Sequence, residues 1–388
     1  MRLKAWPTGR VAICVAAGGA VSFVSALAGT SAAAPDSGSS SSDAPSGAAP
    51  PLLTQNQAIA AGVYTYEATT NPDGSITQTY KFANGLVAES QQPPPGFSPL
   101  NATNAELTQY GLPARPVGRD PGSMATWTQA MSAWRAAAPM SLAIQQASSK
   151  VPGDLAQDFE SGVGDWGGYV DYSSTGDESA YTGAQSVFAA PNVGASCGGS
   201  NGGTTVIGVW TGLGGYGSDG ALIQSGAEAG ENLEGSQPQS VWQPFWELAN
   251  AFSPQLLKGT NQSTAIAIQP GNTVWSKTTY SSSNGGTANF FIENETSGMS
   301  SSFSLTNNPL TGPISGYYYG DHADFVTEEP TVGPFSQFAM TQNEAETGGA
   351  WQAAGSLNNF ATDPPQGWFN VGPWDSSHEN FAVGWQHC

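Results

Sequence analysis

From residue 151 onward, apolar and polar positions follow a period of two in short runs, and each run is bounded by Gly, Asn, Ser or Pro. Residues 204–210, 265–269, 287–292 and 335–341 are examples. A period of two sends successive side chains to opposite faces of an extended backbone, so these runs predict β-strands and the clusters between them predict turns. Many such strands in roughly 240 residues predict an all-β domain over 151–388, a two-sheet sandwich or a barrel. No long amphipathic helix is expected there.

The region before it patterns differently. Residues 61–69 and 75–82 alternate on either side of Asn71-Pro72-Asp73-Gly74, which predicts a hairpin. After Pro93-Pro94-Pro95 the spacing becomes helical. Asn104 is placed to cap a helix carrying Leu107 and Tyr110, and Asp120-Pro121 opens a second that sets Trp127, Met131 and Trp134 near one face. Residues 52–150 therefore read as a small mixed α+β region. Residues 35–51 are almost entirely Ser, Ala, Gly and Pro, the composition of a flexible linker. Residues 1–34 carry Arg2, Lys4 and Arg10 ahead of an apolar run ending in small residues, the layout of a secretory signal peptide. The protein is thus expected to be secreted and extracellular, and no later run is apolar enough to span a membrane.

Charge sharpens this division. Residues 151–388 hold 23 Asp and Glu against only Lys258 and Lys277, a net charge of about −21 at neutral pH. Such a surface repels nucleic acid and anionic membranes, and its self-repulsion fades as carboxylates protonate towards about pH 4. We read it as adaptation to acid. Five of the seven basic residues beyond the signal segment, Lys81, Arg115, Arg119, Arg135 and Lys150, lie in 52–150. That region is the natural electrostatic partner of the acidic domain. The expectation is a propeptide laid over an active-site groove at neutral pH and loosened in acid; the alternative is a folded domain retained in the mature protein. Cys197 and Cys388 remain after signal removal. In an oxidising compartment one disulfide is the simplest pairing, and closing so long a loop contributes roughly 5 kcal/mol.

Six segments in order carry candidate chemistry. Asp165-Trp166-Gly167-Gly168-Tyr169, Tyr181-Thr182-Gly183-Ala184-Gln185 and Trp210-Thr211-Gly212-Leu213-Gly214-Gly215 come first. Ile223-Gln224-Ser225-Gly226, Phe245-Trp246-Glu247 and Ala323-Asp324-Phe325-Val326-Thr327-Glu328 follow, with Pro330 close behind. In order and spacing across 160–345 they resemble the landmarks of the glutamic peptidases, or eqolisins. Gln224 falls on that family's catalytic glutamine, and Asp324 falls on its catalytic glutamate, one methylene shorter. Gly214 stands where the family has an aspartate, and Phe245 where it has a tryptophan. The resemblance implies a concanavalin-like sandwich of two curved antiparallel sheets, extended polypeptide substrates bound on a concave face, hydrolysis in acid, and no metal or other cofactor. It also makes Trp166, Trp210, Glu247 and Glu328 candidates for substrate binding. A monomer is expected, with its own propeptide as partner.

The residues themselves support such chemistry. Alternation puts Asp324, Val326 and Glu328 on one strand face with His322, and puts Gln224 on a face with Leu222. Where two such strands approach, a carboxylate and a neutral amide can share one water. Asp324 would take a proton as the water attacks, the Gln224 NH2 would donate to the oxyanion, and Asp324 would return the proton to the leaving amine. A carboxyl group titrating at about 4 suits acid, where a histidine base is disabled by protonation. His322 beside Asp321 and Asp324 lacks the spacing of a metal motif. Two readings stay open beside an active peptidase: an inactive relative that binds peptides in the same groove, and a carbohydrate-binding or carbohydrate-hydrolysing sandwich.

Overall fold

The computed structural model describes residues 63–82, 87–116, 121–134, 142–146, 166–195, 197, 206–216, 221–232, 239–249, 257–261, 266–306, 314–331, 333–362 and 367–388. The signal segment and linker expected over 1–51 lie outside these residues, as do Arg119, Arg135 and Lys150.

The alternating runs form an all-β sandwich of two antiparallel sheets. In spatial order the smaller sheet is β17 (Asn359–Thr362), β5 (Trp166–Tyr172), β14 (His322–Thr331), β7 (Val206–Gly214), β8 (Leu222–Asn232), β9 (Gln239–Ala249), β10 (Leu257–Asn261) and β4 (Leu142–Gln146). The larger begins with β1 (Val63–Thr70), β2 (Ile76–Phe82), β3 (Val87–Gln92), β13 (Met299–Thr306) and β12 (Thr287–Asn294). It continues with β11 (Thr273–Ser281), β6 (Tyr181–Ala189), β15 (Phe338–Thr347), β19 (Phe381–Trp385) and β18 (Phe369–Val371), and β16 (Ala350–Ala353) pairs with β15.

The core lies between the sheets. Ile207, Val209, Leu213, Ile223, Leu248 and Phe325 of the smaller sheet meet Phe188, Val274, Phe290, Ile292, Phe303 and Met340 of the larger. Each such side chain contributes roughly 1.5–3 kcal/mol by leaving water. A strip of hydroxyls crosses this layer. Ser225 Oγ lies 3.0 Å from Ser276 Oγ and 2.7 Å from Thr278 Oγ1, which ties β8 to β11 immediately behind Gln224.

The N-terminal hairpin forms about 71–74, with Gly74 in the left-handed region at φ 85°. Two helices follow, α1 (Asn104–Gln109) and α2 (Pro121–Ala133). The cap of α1 falls on Thr103 and not on Asn104. The Thr103 hydroxyl accepts from the Glu106 N–H while the Glu106 carboxylate accepts from the Thr103 N–H, so one pair satisfies two helix-end donors. Asn104 is used elsewhere, its Oδ1 accepting from the Arg115 N–H at 2.9 Å.

The described part of 52–150 is built into the sandwich. Strand β3 pairs with β13 and β4 pairs with β10, so the region extends both sheets. Leu107, Tyr110, Trp127 and Met131 from the helical layer bury Val187, Trp275 and Phe291 on the outer face of the larger sheet. This layer does not lie across the Gln224 face, as an inhibitory cover would; apolar burial on Trp275 and Phe291 decides its place, an attraction that charge counting does not register.

Two strand expectations shift. Of 265–269, Ile266 and Ile268 are buried, but the segment makes only an isolated bridge from Ile268 to Trp242, because the chain turns at once through Pro270 and Gly271. Phe335 bridges to Val193 alone, and its strand proper starts at Phe338. Residues 381–385 form β19, which pairs with β15 and β18. A disulfide joins Cys197 to Cys388 across a separation of 191 residues.

Candidate active site

Strand register assembles the site. On β14, Asp324 stands opposite Gly212 of β7; Gly212 stands opposite Gln224 of β8, and Gln224 opposite Glu247 of β9. Val170 extends this row at one end, and Lys258 occupies the next register position beyond Glu247. Residues directly opposite one another share a sheet face. Their alternates Ala323, Phe325, Ile223 and Leu248 enter the inter-sheet core, so the row lies on the outward face of the smaller sheet.

Two strand spacings, about 10 Å between backbones, separate Asp324 from Gln224. Gly212 puts no side chain between them. The opening is narrow, for a Cβ added at Gly212 would stand 3.0 Å from both Leu222 Cδ1 and Trp210 Cζ3. Asp324, Gln224 and Glu247 are fully buried. Gln224 Nε2 donates to Glu247 Oε2 at 2.8 Å, whereas Gln224 Oε1 and both Asp324 oxygens have no hydrogen-bond partner. Unpaired buried acceptors are uncommon, and three across one glycine mark a place built for a donor.

Burial pushes the Asp324 carboxyl well above its ordinary 3.8, and Asp321 and Asp171 push it further the same way. Asp171 stands on the inner face of β5 and is raised by its own burial. The surroundings are apolar. Trp166 and Trp210 meet edge to face at 4.8 Å, and Val170, Leu222, Phe245 and Val326 close around them. Trp210 Nε1 donates to Glu328 Oε2 at 2.9 Å.

All six residues singled out by sequence, Gln224, Asp324, Trp166, Trp210, Glu247 and Glu328, thus belong to one sheet face. Their roles divide: Asp324, Gln224 and Glu247 form the polar row, and the tryptophans are packed side chains with Glu328 tied to Trp210. His322 Nδ1 lies beside Asp321 Oδ1, and among the described residues no three His, Cys, Asp or Glu are grouped to hold a metal ion. Gly212 was missed, although a lone glycine within a strand pattern is a signal of close approach. At Gly214, φ is 83° and an added Cβ would stand 2.3 Å from Ala221 O and 2.5 Å from Tyr319 O. No side chain fits there as the backbone stands.

Comparison with known proteins picks out the same stretch. The family model described as the Peptidase A4 family matches residues 164–362, which contain the entire row. Among solved structures, the chain is similar to scytalido-glutamic peptidase with a transition-state analogue inhibitor, at 16% identity over 57% of this chain and 98% of that one, with a TM-score of 0.42. It is similar to SCP-B, an eqolisin-family peptidase in complex with the tripeptide Ala-Ile-His, at 16% identity over 57% and 98%, TM-score 0.39. Aspergilloglutamic peptidase from Aspergillus niger shares 17% identity over 47% of this chain and 99% of that one, TM-score 0.34. Curated protein sequences give no match to the chain.

Proposed function

The chain belongs to the Peptidase A4 (eqolisin) family, and from that premise we propose that it is a secreted, metal-independent acid endopeptidase in which Asp324 and Gln224 activate one water against an extended polypeptide. The observation that carries this reading is the set of unpaired buried acceptors, Asp324 Oδ1 and Oδ2 and Gln224 Oε1, separated by Gly212. A water has two O–H donors, and one to each side would hold it on the row.

In the forward step Asp324 takes one proton as the water oxygen bonds to the scissile carbonyl carbon. A Gln224 N–H donates to the oxyanion, a contribution whose loss typically costs ~10²–10³ in rate. The protonated Asp324 then gives its proton to the amine as the C–N bond breaks, leaving a carboxylic acid and an amine. The base form is the ionised one. Because the carboxyl is raised, that form is populated at a higher pH than in an ordinary aspartate, which places the acid limb of activity above 3.8. Residues 1–34 act as signal peptide, 35–51 as linker and 52–150 as a pro-region docked on the sandwich.

Digestion of casein or unfolded albumin by the full protein across pH 2–7 tests the proposal. Cleavage in acid that resists chelators and serine reagents, and disappears in Gln224→Ala, is the expected result. A wild type that is inactive while Asp324→Glu cleaves would identify a peptide-binding relative that has lost catalysis. Polysaccharide binding without proteolysis would overturn the peptidase reading.

A further inference from the structure

The carboxamide of Gln224 has two unlike ends, and the row treats them differently. Its Nε2 donates to Glu247 Oε2 at 2.8 Å, while Oε1 has no partner. Glu247 is the immediate cross-strand neighbour on β9, and Asp324 lies on the other side beyond Gly212. Glu247 Oε2 is the acceptor in this pair, so the end of the amide turned towards Glu247 is its NH2 end. A reversed amide would set two acceptor oxygens against each other in a buried site, where such a mismatch is costly. Glu247 itself is fully buried.

We infer that Glu247 is a positioning residue for peptide hydrolysis: it fixes which way the Gln224 amide faces, keeping Oε1 on the Gly212 side for the attacking water and one N–H of Nε2 for the oxyanion. This rests on Gln224 and Asp324 being the catalytic pair. It differs from a substrate contact, because Glu247 acts through Gln224. The interaction is specific to an acceptor. Glutamine at 247 has the same shape but also offers a donor, so it stabilises either orientation of the neighbouring amide.

The test is Glu247→Gln in the full-length protein, alone and combined with Gln224→Ala. Alone it is expected to lower kcat about 10²-fold, the typical cost of a misplaced catalytic group, with KM little changed and the pH midpoints of activity unmoved. Added to Gln224→Ala it is expected to cost nothing further, since the group it acts through is gone. Additive losses, a moved pH midpoint or a wild-type kcat would each overturn the inference. Should Glu247→Gln fail to fold, Glu247→Asp keeps the acceptor at shorter reach and is expected to lose kcat with the same dependence on Gln224. If the wild type cleaves nothing at any pH, the peptidase reading fails first. The positioning is then read from the side-chain NH2 resonances of Gln224, assigned by their loss in Gln224→Ala. They are expected to move in Glu247→Gln and to stay in Glu328→Gln; unmoved resonances in Glu247→Gln overturn it.

Discussion

The sandwich has two outward faces built from the same alternating strands, and they put glycine to opposite uses. On the larger sheet Val187, Trp275 and Phe291 are covered by the helical layer, and glycine lets that layer come close: a Cβ at Gly298 would stand 1.8 Å from Ala133 O. Some polar neighbours on that face satisfy one another, with Asn289 Nδ2 donating to Thr279 Oγ1 at 3.2 Å and Ser304 Oγ donating to Asn289 Oδ1 at 2.7 Å, while both Glu293 carboxyl oxygens there have no hydrogen-bond partner. On the smaller sheet glycine keeps two polar side chains apart, and the acceptors on either side of Gly212 are unpaired. An unpaired buried polar group costs roughly 1–3 kcal/mol. A fold carries several of them in one row where chemistry requires it, and local rules that fail together are a better mark of a site than any single residue type.

The sharpest way to break this comparison is Asp324→Asn. Removing the proposed proton acceptor is expected to lower kcat by up to ~10⁴-fold. The melting temperature should hold or rise at neutral pH, because Asn cannot ionise in the buried position. A large loss of stability with retained activity would make Asp324 an ordinary core residue. The opposite pattern is expected across the molecule. Phe291→Ala opens a cavity beneath the helical layer and should cost about 3–5 kcal/mol in urea unfolding, with kcat unchanged.

Buried carboxyls on both sheets should respond to pH in the same direction. Burial raises Glu293 and Glu295, and Glu295 reaches about 7 from an ordinary 4.5. Glu293 shares the outer face of β12 with Phe291 and stands opposite Trp275. A carboxyl whose folded pKa is raised binds its proton more tightly when folded. Its contribution is therefore complete below about 4.5 and is lost as pH rises through 7, about 3 kcal/mol for Glu295. Glu329, raised to about 9, extends the same loss to higher pH. Unfolding followed from pH 4 to pH 8 should show falling stability, and Glu295→Gln should flatten the lower part of that slope. A slope unchanged in Glu295→Gln would show that this carboxyl ionises as freely in the folded protein as in the unfolded chain.

The sequence made some of this legible for physical reasons. A period of two survives in any strand, so the β-sandwich and the residues sharing a face with Gln224 and Asp324 could be read locally. Register could not. The meeting of Asp324 with Gly212, and of Gly212 with Gln224, depends on pairing between strands far apart in the chain, and a slip of one residue would have turned every side chain to the other face. The docking of β3 on β13 is hidden for the same reason, since a strand carries no local mark of its partner. Composition gave 52–150 its basic character, but Trp127, Met131, Trp275 and Phe291 set where it packs.

The smallest predicted effect tests whether the helical layer is a firm part of the larger-sheet face. Thr103 and Glu106 each satisfy the other's backbone N–H at the start of α1, and both side chains are exposed. Thr103→Ala removes one half of that exchange without touching the core, so it should cost about 1 kcal/mol. If α1 is held mainly by Leu107 and Tyr110 against the sheet, global unfolding in urea should register the full loss, because the helix and the sandwich melt together. If the layer frays independently, amide exchange in 104–109 should accelerate while the global midpoint stays in place. Activity should be unchanged in either case, since the Asp324 row lies on the opposite face of the sandwich.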